Sequence, residues 1–87
     1  MPYIKKTDRS KFKDLENIGL TCESSGELNY VITMIIKGYL YKNGLLRYSK
    51  INDVMGALEG AKLEMYRRVA GDYEDLKTLD PENGDVY

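Results

Sequence analysis

The feature that most constrains the fold is an apolar stripe that follows a helix-start signal in the middle of the chain. Ser24 and Glu27 have the spacing of a capping box, in which the serine hydroxyl accepts from the helix backbone and the glutamate reaches back. The apolar residues that follow have helical spacing: Leu28, Val31, Ile32, Ile35, Ile36 and Tyr39. Strand alternation would separate Ile35 from Ile36, so the pattern predicts a helix over about 25–43, closed by Asn43-Gly44.

Two further helices are predicted around this one. Thr7 or Asp8 can cap a short helix over about 8–18, with Gly19 placed to end it. A longer helix over about 50–70 follows, and Gly71 interrupts its pattern. Its apolar face is made by Ile51, Val54, Met55, Leu58, Ala61, Met65 and Val69. The predicted fold is all-α, with the two longer helices as an antiparallel pair and the short N-terminal helix across it.

The length of 87 residues predicts one helical domain over 1–87, with a C-terminal tail over 78–87 that contains a turn signal. A domain of this size buries only roughly 60–65% of the surface that its unfolded chain exposes, so a second buried face gained by self-association is valuable.

The residue types exclude several chemistries. The chain has no histidine and one cysteine, Cys22, so histidine-dependent catalytic triads and four-ligand zinc sites are ruled out within one chain. No catalytic residue, metal site or cofactor site is predicted. The net charge of -1 argues against a general nucleic-acid coat. The longest apolar run, 31–36, is too short to span a bilayer, and the N-terminus has no signal-peptide core. We therefore predict no membrane association and a cytoplasmic location.

The second half of the chain holds the candidate site residues. Gly56 and Gly60 lie opposite Leu58 on the predicted helix, near Leu63 and Ala70. Two glycines inside a helix are costly unless another backbone approaches them closely. Packing within one chain and a contact between subunits both remain open.

Two charged groups give alternative hypotheses. Lys62 falls inside the apolar face with Glu59 and Tyr66 beside it, and a buried lysine there would serve as a base or Schiff-base amine. The simpler interpretation is a structural lysine that extends to solvent or pairs with a carboxylate. Arg67 and Arg68 beside tyrosines suggest a nucleic-acid contact, but they point about 100° apart on an α-helix, and neighbouring acids favour ion-paired arginines.

The sequence also resembles a family of short proteins of unknown function from phages and bacteria. The matching stretches cover nearly the whole chain and run in order: 1–4, 26–33, 58–59, 62–64, 66–70, 73–75 and 82–87. Two departures are a shorter first helix and Gly71, where the family often has proline. The resemblance implies shared polar residues, namely Asn29, Glu59, Lys62, Arg67 and Arg68. It also implies a docked tail, whereas the composition of the tail alone indicates disorder.

These observations favour a non-enzymatic, self-associating interaction module of a phage or bacterium. We expect a homodimer with an unidentified protein partner, in the cytoplasm of the bacterium or host cell. The alternatives are a small enzyme that uses Lys62 with Glu59 and Tyr66, and a nucleic-acid-binding accessory protein that uses Arg67 and Arg68.

Overall fold

The structure, a computed structural model, describes residues 3–82 and 84–85. All regular secondary structure in that part of the chain is helical, which confirms the predicted all-α class. The α-helices are α1 (Leu15–Thr21), α2 (Ser25–Tyr41), α3 (Tyr48–Met65) and α4 (Gly71–Thr78). Three 3-10 turns, Lys6–Asp8, Ser10–Phe12 and Lys42–Gly44, and one π-helical turn, Tyr66–Ala70, complete the described elements. None of the described helices combines the length and hydropathy needed to cross a bilayer.

The N-terminal helix differs from its predicted position. Two 3-10 turns occupy much of the predicted range, and the α-helix begins only at Leu15. Gly19 does not end it, so that prediction is wrong. The Thr21 hydroxyl donates to the Ile18 carbonyl at 2.7 Å, and the Cys22 N–H donates to the Gly19 carbonyl at 3.1 Å. These bonds satisfy the carbonyls of the last helical turn, and the helix ends at Thr21, two residues beyond Gly19.

The capping box of α2 is confirmed. Ser24 Oγ accepts from the Glu27 N–H at 3.1 Å, and Glu27 Oε2 accepts from the Glu23 N–H at 3.3 Å. At the other end, Asn43 and Gly44 have φ values of 66° and 77°, in the left-handed region where asparagine and glycine are the usual residues. The helix therefore closes through Asn43-Gly44, although its last α-helical residue is Tyr41.

Two side-chain contacts join the end of α2 to the start of α3. Lys50 Nζ donates to the backbone carbonyls of Lys42 at 2.7 Å and Leu45 at 3.2 Å. A cation at this position offsets the partial negative charge of the carbonyls that follow a helix end. The Tyr39 hydroxyl donates to Asp53 Oδ2 at 3.0 Å. These contacts fix the α2–α3 turn, while antiparallel pairing along the full helices stays a prediction.

The third helix is longer and less regular than predicted. It starts at Tyr48 and continues without a break through the π turn into α4, so Gly71 does not interrupt it. The Gly71 N–H donates to the Tyr66 carbonyl, the five-residue bond of a π turn. An extra residue in one turn rotates everything after it by about 100° relative to an uninterrupted α-helix. The angles predicted for Val69 and Ala70 therefore do not apply.

The start of the C-terminal tail forms a turn around Asp80. Its Oδ1 accepts from the Glu82 N–H at 2.8 Å, and its backbone carbonyl accepts from the Gly84 N–H at 2.9 Å. The turn signal predicted for the tail is at Asn83-Gly84, and it stays a prediction because residue 83 lies outside the described residues. Residues 83, 86 and 87 of the predicted tail lie outside the described residues, and docking of the tail stays a prediction.

The side chains predicted to form a core are exposed or half-buried. Residues 3–54 form one compact unit, and the chain from Met55 onwards belongs to a second. None of the residues that the structure describes is fully buried in either unit. Ile35, at the centre of the predicted α2 core face, is 56% exposed. The helical periodicity was therefore sufficient to find the apolar face but not to find what covers it. The single domain over 1–87 stays a prediction.

Ser24→Ala tests the contribution of the capping box to stability. Loss of the hydroxyl that accepts from the Glu27 N–H should lower the free energy of unfolding by about 1 kcal/mol. Ser25→Ala is the matched control, because Ser25 is the first residue inside the helix and not its cap. Urea denaturation of both variants measures the difference. An equal loss in both would contradict a specific role for Ser24.

Candidate functional site

The small-residue face of α3 lies partly open. A side chain at Gly56 would meet nothing within 4 Å, and Leu63 is exposed. Gly60 is half-buried, and so is Ala70. Ala70 lies in the π turn and no longer continues this face at α-helical angles. The open part of the face is therefore centred on Gly56 and Leu63, where another backbone can approach α3.

Lys62 lies on the surface of α3. Its side chain is 70% exposed, and its Nζ is 3.7 Å from Glu59 Oε1, one helical turn away. The structure shows the pairing with a carboxylate that the simpler interpretation expects, while the role of Lys62 stays a prediction. An exposed, ion-paired ammonium differs from the desolvated amine that lysine nucleophiles use.

The hydroxyl of Tyr66 is directed to a different carboxylate. It donates to Glu74 Oε2 at 3.0 Å, across the π turn and into α4. The hydrogen bond to the carboxylate and its negative charge raise the pKa of Tyr66 above the ordinary value of 10.0. Glu59 and Lys62 are thus brought together, whereas the Tyr66 hydroxyl is bound to α4. Its function in this geometry is to tie the two sides of the π turn.

Glu64 holds both candidate arginines. Its Oε1 accepts from Arg67 Nη2 at 3.0 Å and from Arg68 Nε at 3.2 Å, and its side chain is only 19% exposed. The prediction of ion-paired arginines is confirmed. The two arginines were predicted to point about 100° apart on the helix. They nevertheless contact the same Glu64 oxygen, because their side chains are long enough to converge on it. Most of the Arg67 and Arg68 surface remains exposed, so the pairing leaves them in contact with solvent.

Asn29 lies on α2, in the other unit. The Thr33 hydroxyl donates to the Asn29 carbonyl at 2.8 Å and to its Oδ1 at 3.2 Å. These residues border a surface groove near the start of the helix, lined by Ser25, Gly26, Asn29, Tyr30 and Thr33. The structure thus gives Asn29 a local structural partner, in a unit separate from that of Lys62 and the arginines.

Sequence reasoning missed three residues that join separate elements. Lys50 reaches the carbonyls after α2, and the Tyr39–Asp53 hydrogen bond joins α2 to α3. The hydrogen bond to Asp53, with the charge of that carboxylate, raises the pKa of Tyr39 above 10.0. Tyr39 was predicted only as an apolar face residue. Its hydroxyl carried no separate signal, because spacing identifies the face of a helix but not where a side chain ends.

The structure therefore defines a small all-α protein whose polar side chains pair locally and whose apolar helix faces are open. This chain belongs to the family described as Domain of unknown function (DUF6899), which matches residues 1–86. The match confirms the resemblance to a family without an assigned activity. No curated protein and no solved structure matches the chain.

The Tyr66–Glu74 hydrogen bond predicts a late tyrosine ionisation. Because the pKa of Tyr66 is raised when folded, this contribution to stability is present below pH 10.0 and is lost as the pH rises through the folded pKa. Tyr66→Phe should remove a late step from the ultraviolet titration of tyrosinate. Glu74→Gln, which keeps an acceptor but removes the charge, should move that step to lower pH. If neither variant alters the alkaline end of the titration, the bond is absent in solution.

Proposed function

We propose that the protein is a non-enzymatic, self-associating protein-interaction module and that its basic unit is a homodimer. The observation that carries the proposal is the absence of any fully buried residue among those described, in a chain of which 43% is hydrophobic. Hydrophobic side chains that remain in water supply the driving force for association.

The exposed area supports this proposal quantitatively. The chain has an accessible surface of 8074 Å², whereas a compact monomer of its mass exposes about 5,200 Å². Two separate compact bodies of about 6 and 4 kDa would expose about 6,300 Å² in total, so the excess does not depend on how the two units are placed. The excess of at least about 1,800 Å² exceeds the roughly 800 Å² that each partner buries in a stable interface.

A second copy of the chain is the partner that we propose first. The small-residue face made by Gly56, Gly60, Leu63 and Ala70 would contribute to the contact, since glycines allow close approach of two backbones. The uncovered surroundings of Gly56 support this assignment. Two-fold pairing is the commonest arrangement of identical chains. We further propose that the dimer serves to bind another protein in the cytoplasm of a bacterium or of a phage-infected cell.

Light scattering tests self-association. At tens of micromolar, the wild-type protein should have twice the 10.0 kDa mass of the chain. Gly56→Leu should lower this to the monomer mass, because the added side chain blocks close approach while the chain itself has room for it. Far-ultraviolet circular dichroism should show that helicity is retained.

Gly19→Leu is the matched control, because it also introduces a leucine at an uncovered helical glycine, but in α1. It should leave the mass at that of the dimer. A monomeric wild-type protein would sink the proposed function. A dimer that survives Gly56→Leu would keep self-association but remove the small-residue face from the interface.

A further inference from the structure

An apolar strip runs along one side of α2. It consists of Leu28, Ile32, Ile35 and Tyr39, and at 100° per residue the four side chains lie within an arc of about 60°. Their exposed fractions are 47%, 39%, 56% and 48% in the same order. The strip is therefore a half-covered face about 16 Å long, on one continuous helix within the unit formed by residues 3–54.

The strip carries no formal charge. The two charged residues of α2 are Glu27, which is engaged in the capping box, and Lys37, which points about 170° away from the centre of the strip. Tyr39 supplies the only polar atom of the strip, and its hydroxyl already donates to Asp53 at 3.0 Å. An apolar partner can therefore cover the strip without leaving this donor unsatisfied.

We propose that two copies of the chain pair along this strip, with their α2 helices antiparallel about a two-fold axis. The strip residues are separated by four, three and four positions, and this order reads the same in both directions. In an antiparallel pair, Leu28 therefore faces Tyr39 of the second copy and Ile32 faces its Ile35. A face that complements itself in this way fits an isologous dimer. The inference rests on the proposed self-association. To the contact proposed for the small-residue face of α3 it adds a seam along α2 and the direction of the paired helices.

The excess exposed surface of the whole chain, of which the strip is one part, favours a second copy as the occupant. The excess surface of the chain exceeds what one partner contributes to a stable dimer, and the strip needs a partner helix of its own length and apolar character. Each copy supplies such a helix. Half-exposed aliphatic and aromatic side chains at helical spacing are also the anchors expected of helix-to-helix docking.

Paired cysteine variants test the seam and its direction. In a Cys22→Ser background, Leu28→Cys and Tyr39→Cys are prepared as separate proteins. An equimolar mixture should form a mixed cross-linked dimer with a short bis-thiol reagent, because these positions face each other across the seam. Neither protein alone should cross-link efficiently, since the same position in the two copies lies about 16 Å apart along the axis. Mass spectrometry of mass-tagged proteins identifies the mixed product.

Ile35→Glu provides the energetic test. It should raise the dimer dissociation constant by at least about 100-fold, since the dimer would bury two unpaired carboxylates. Lys37→Glu is the control on the far side of α2, and it should change the constant by less than about threefold. Analytical ultracentrifugation measures both, with circular dichroism as the check on folding.

The outcomes separate this inference from the proposed function. A monomeric wild-type protein overturns both. A dimer that is unaffected by Ile35→Glu places the seam elsewhere and overturns only the inference. Efficient cross-linking of each single variant with itself shows a parallel seam and overturns the proposed direction. If Ile35→Glu fails to fold, the cysteine cross-links decide the inference, and failure of the mixture to cross-link overturns it.

Discussion

The constraint on which the rest of the structure depends is the apolar surface that its helices leave in water. Ile35 lies at the centre of the most regular helix and is still 56% exposed. A half-covered aliphatic side chain recovers only part of the free energy available from burial, so the helices of one chain gain little from packing. Local hydrogen bonds consequently carry much of the order within each unit. Examples in the unit formed by residues 3–54 are the cap at Ser24 and the bonds from Lys50 to the carbonyls after α2.

The accuracy of the sequence predictions follows the range of the interactions. The capping box at Ser24 and Glu27 depends on residues three apart, and the left-handed turn depends on Asn43 and Gly44 themselves, so both were found. Propensity alone predicts a helix end at Gly19, but the helix continues past it with the bonds made by Thr21 and Cys22. A glycine permits a helix to end without requiring it to do so.

The π turn explains most of what the sequence could not show about the candidate site. Every predicted angle beyond Met65 assumed 3.6 residues per turn, and one extra residue changes them all. The turn also places Gly71 N–H on the Tyr66 carbonyl and lets the Tyr66 side chain reach Glu74. The pairs of Glu59 with Lys62, and of Glu64 with the arginines, were accessible to prediction because they lie within one turn. The bonds from Lys50 to the carbonyls of Lys42 and Leu45 were not accessible to prediction, because they join two elements.

The difference between local polar pairs and exposed apolar surface also bears on function. The charged residues singled out as candidates are engaged with neighbours about one turn away: Lys62 contacts Glu59, and both arginines contact Glu64. Such pairs are weak at an exposed surface, but they orient the side chains toward their own helix. The strip on α2 has the opposite character. The hydroxyl of Tyr39, its one polar group, has a hydrogen-bond partner, whereas its apolar side chains remain partly exposed to water. The proposed recognition along α2 therefore rests on apolar contact and not on the candidate charged residues, whose side chains are held by their own neighbours.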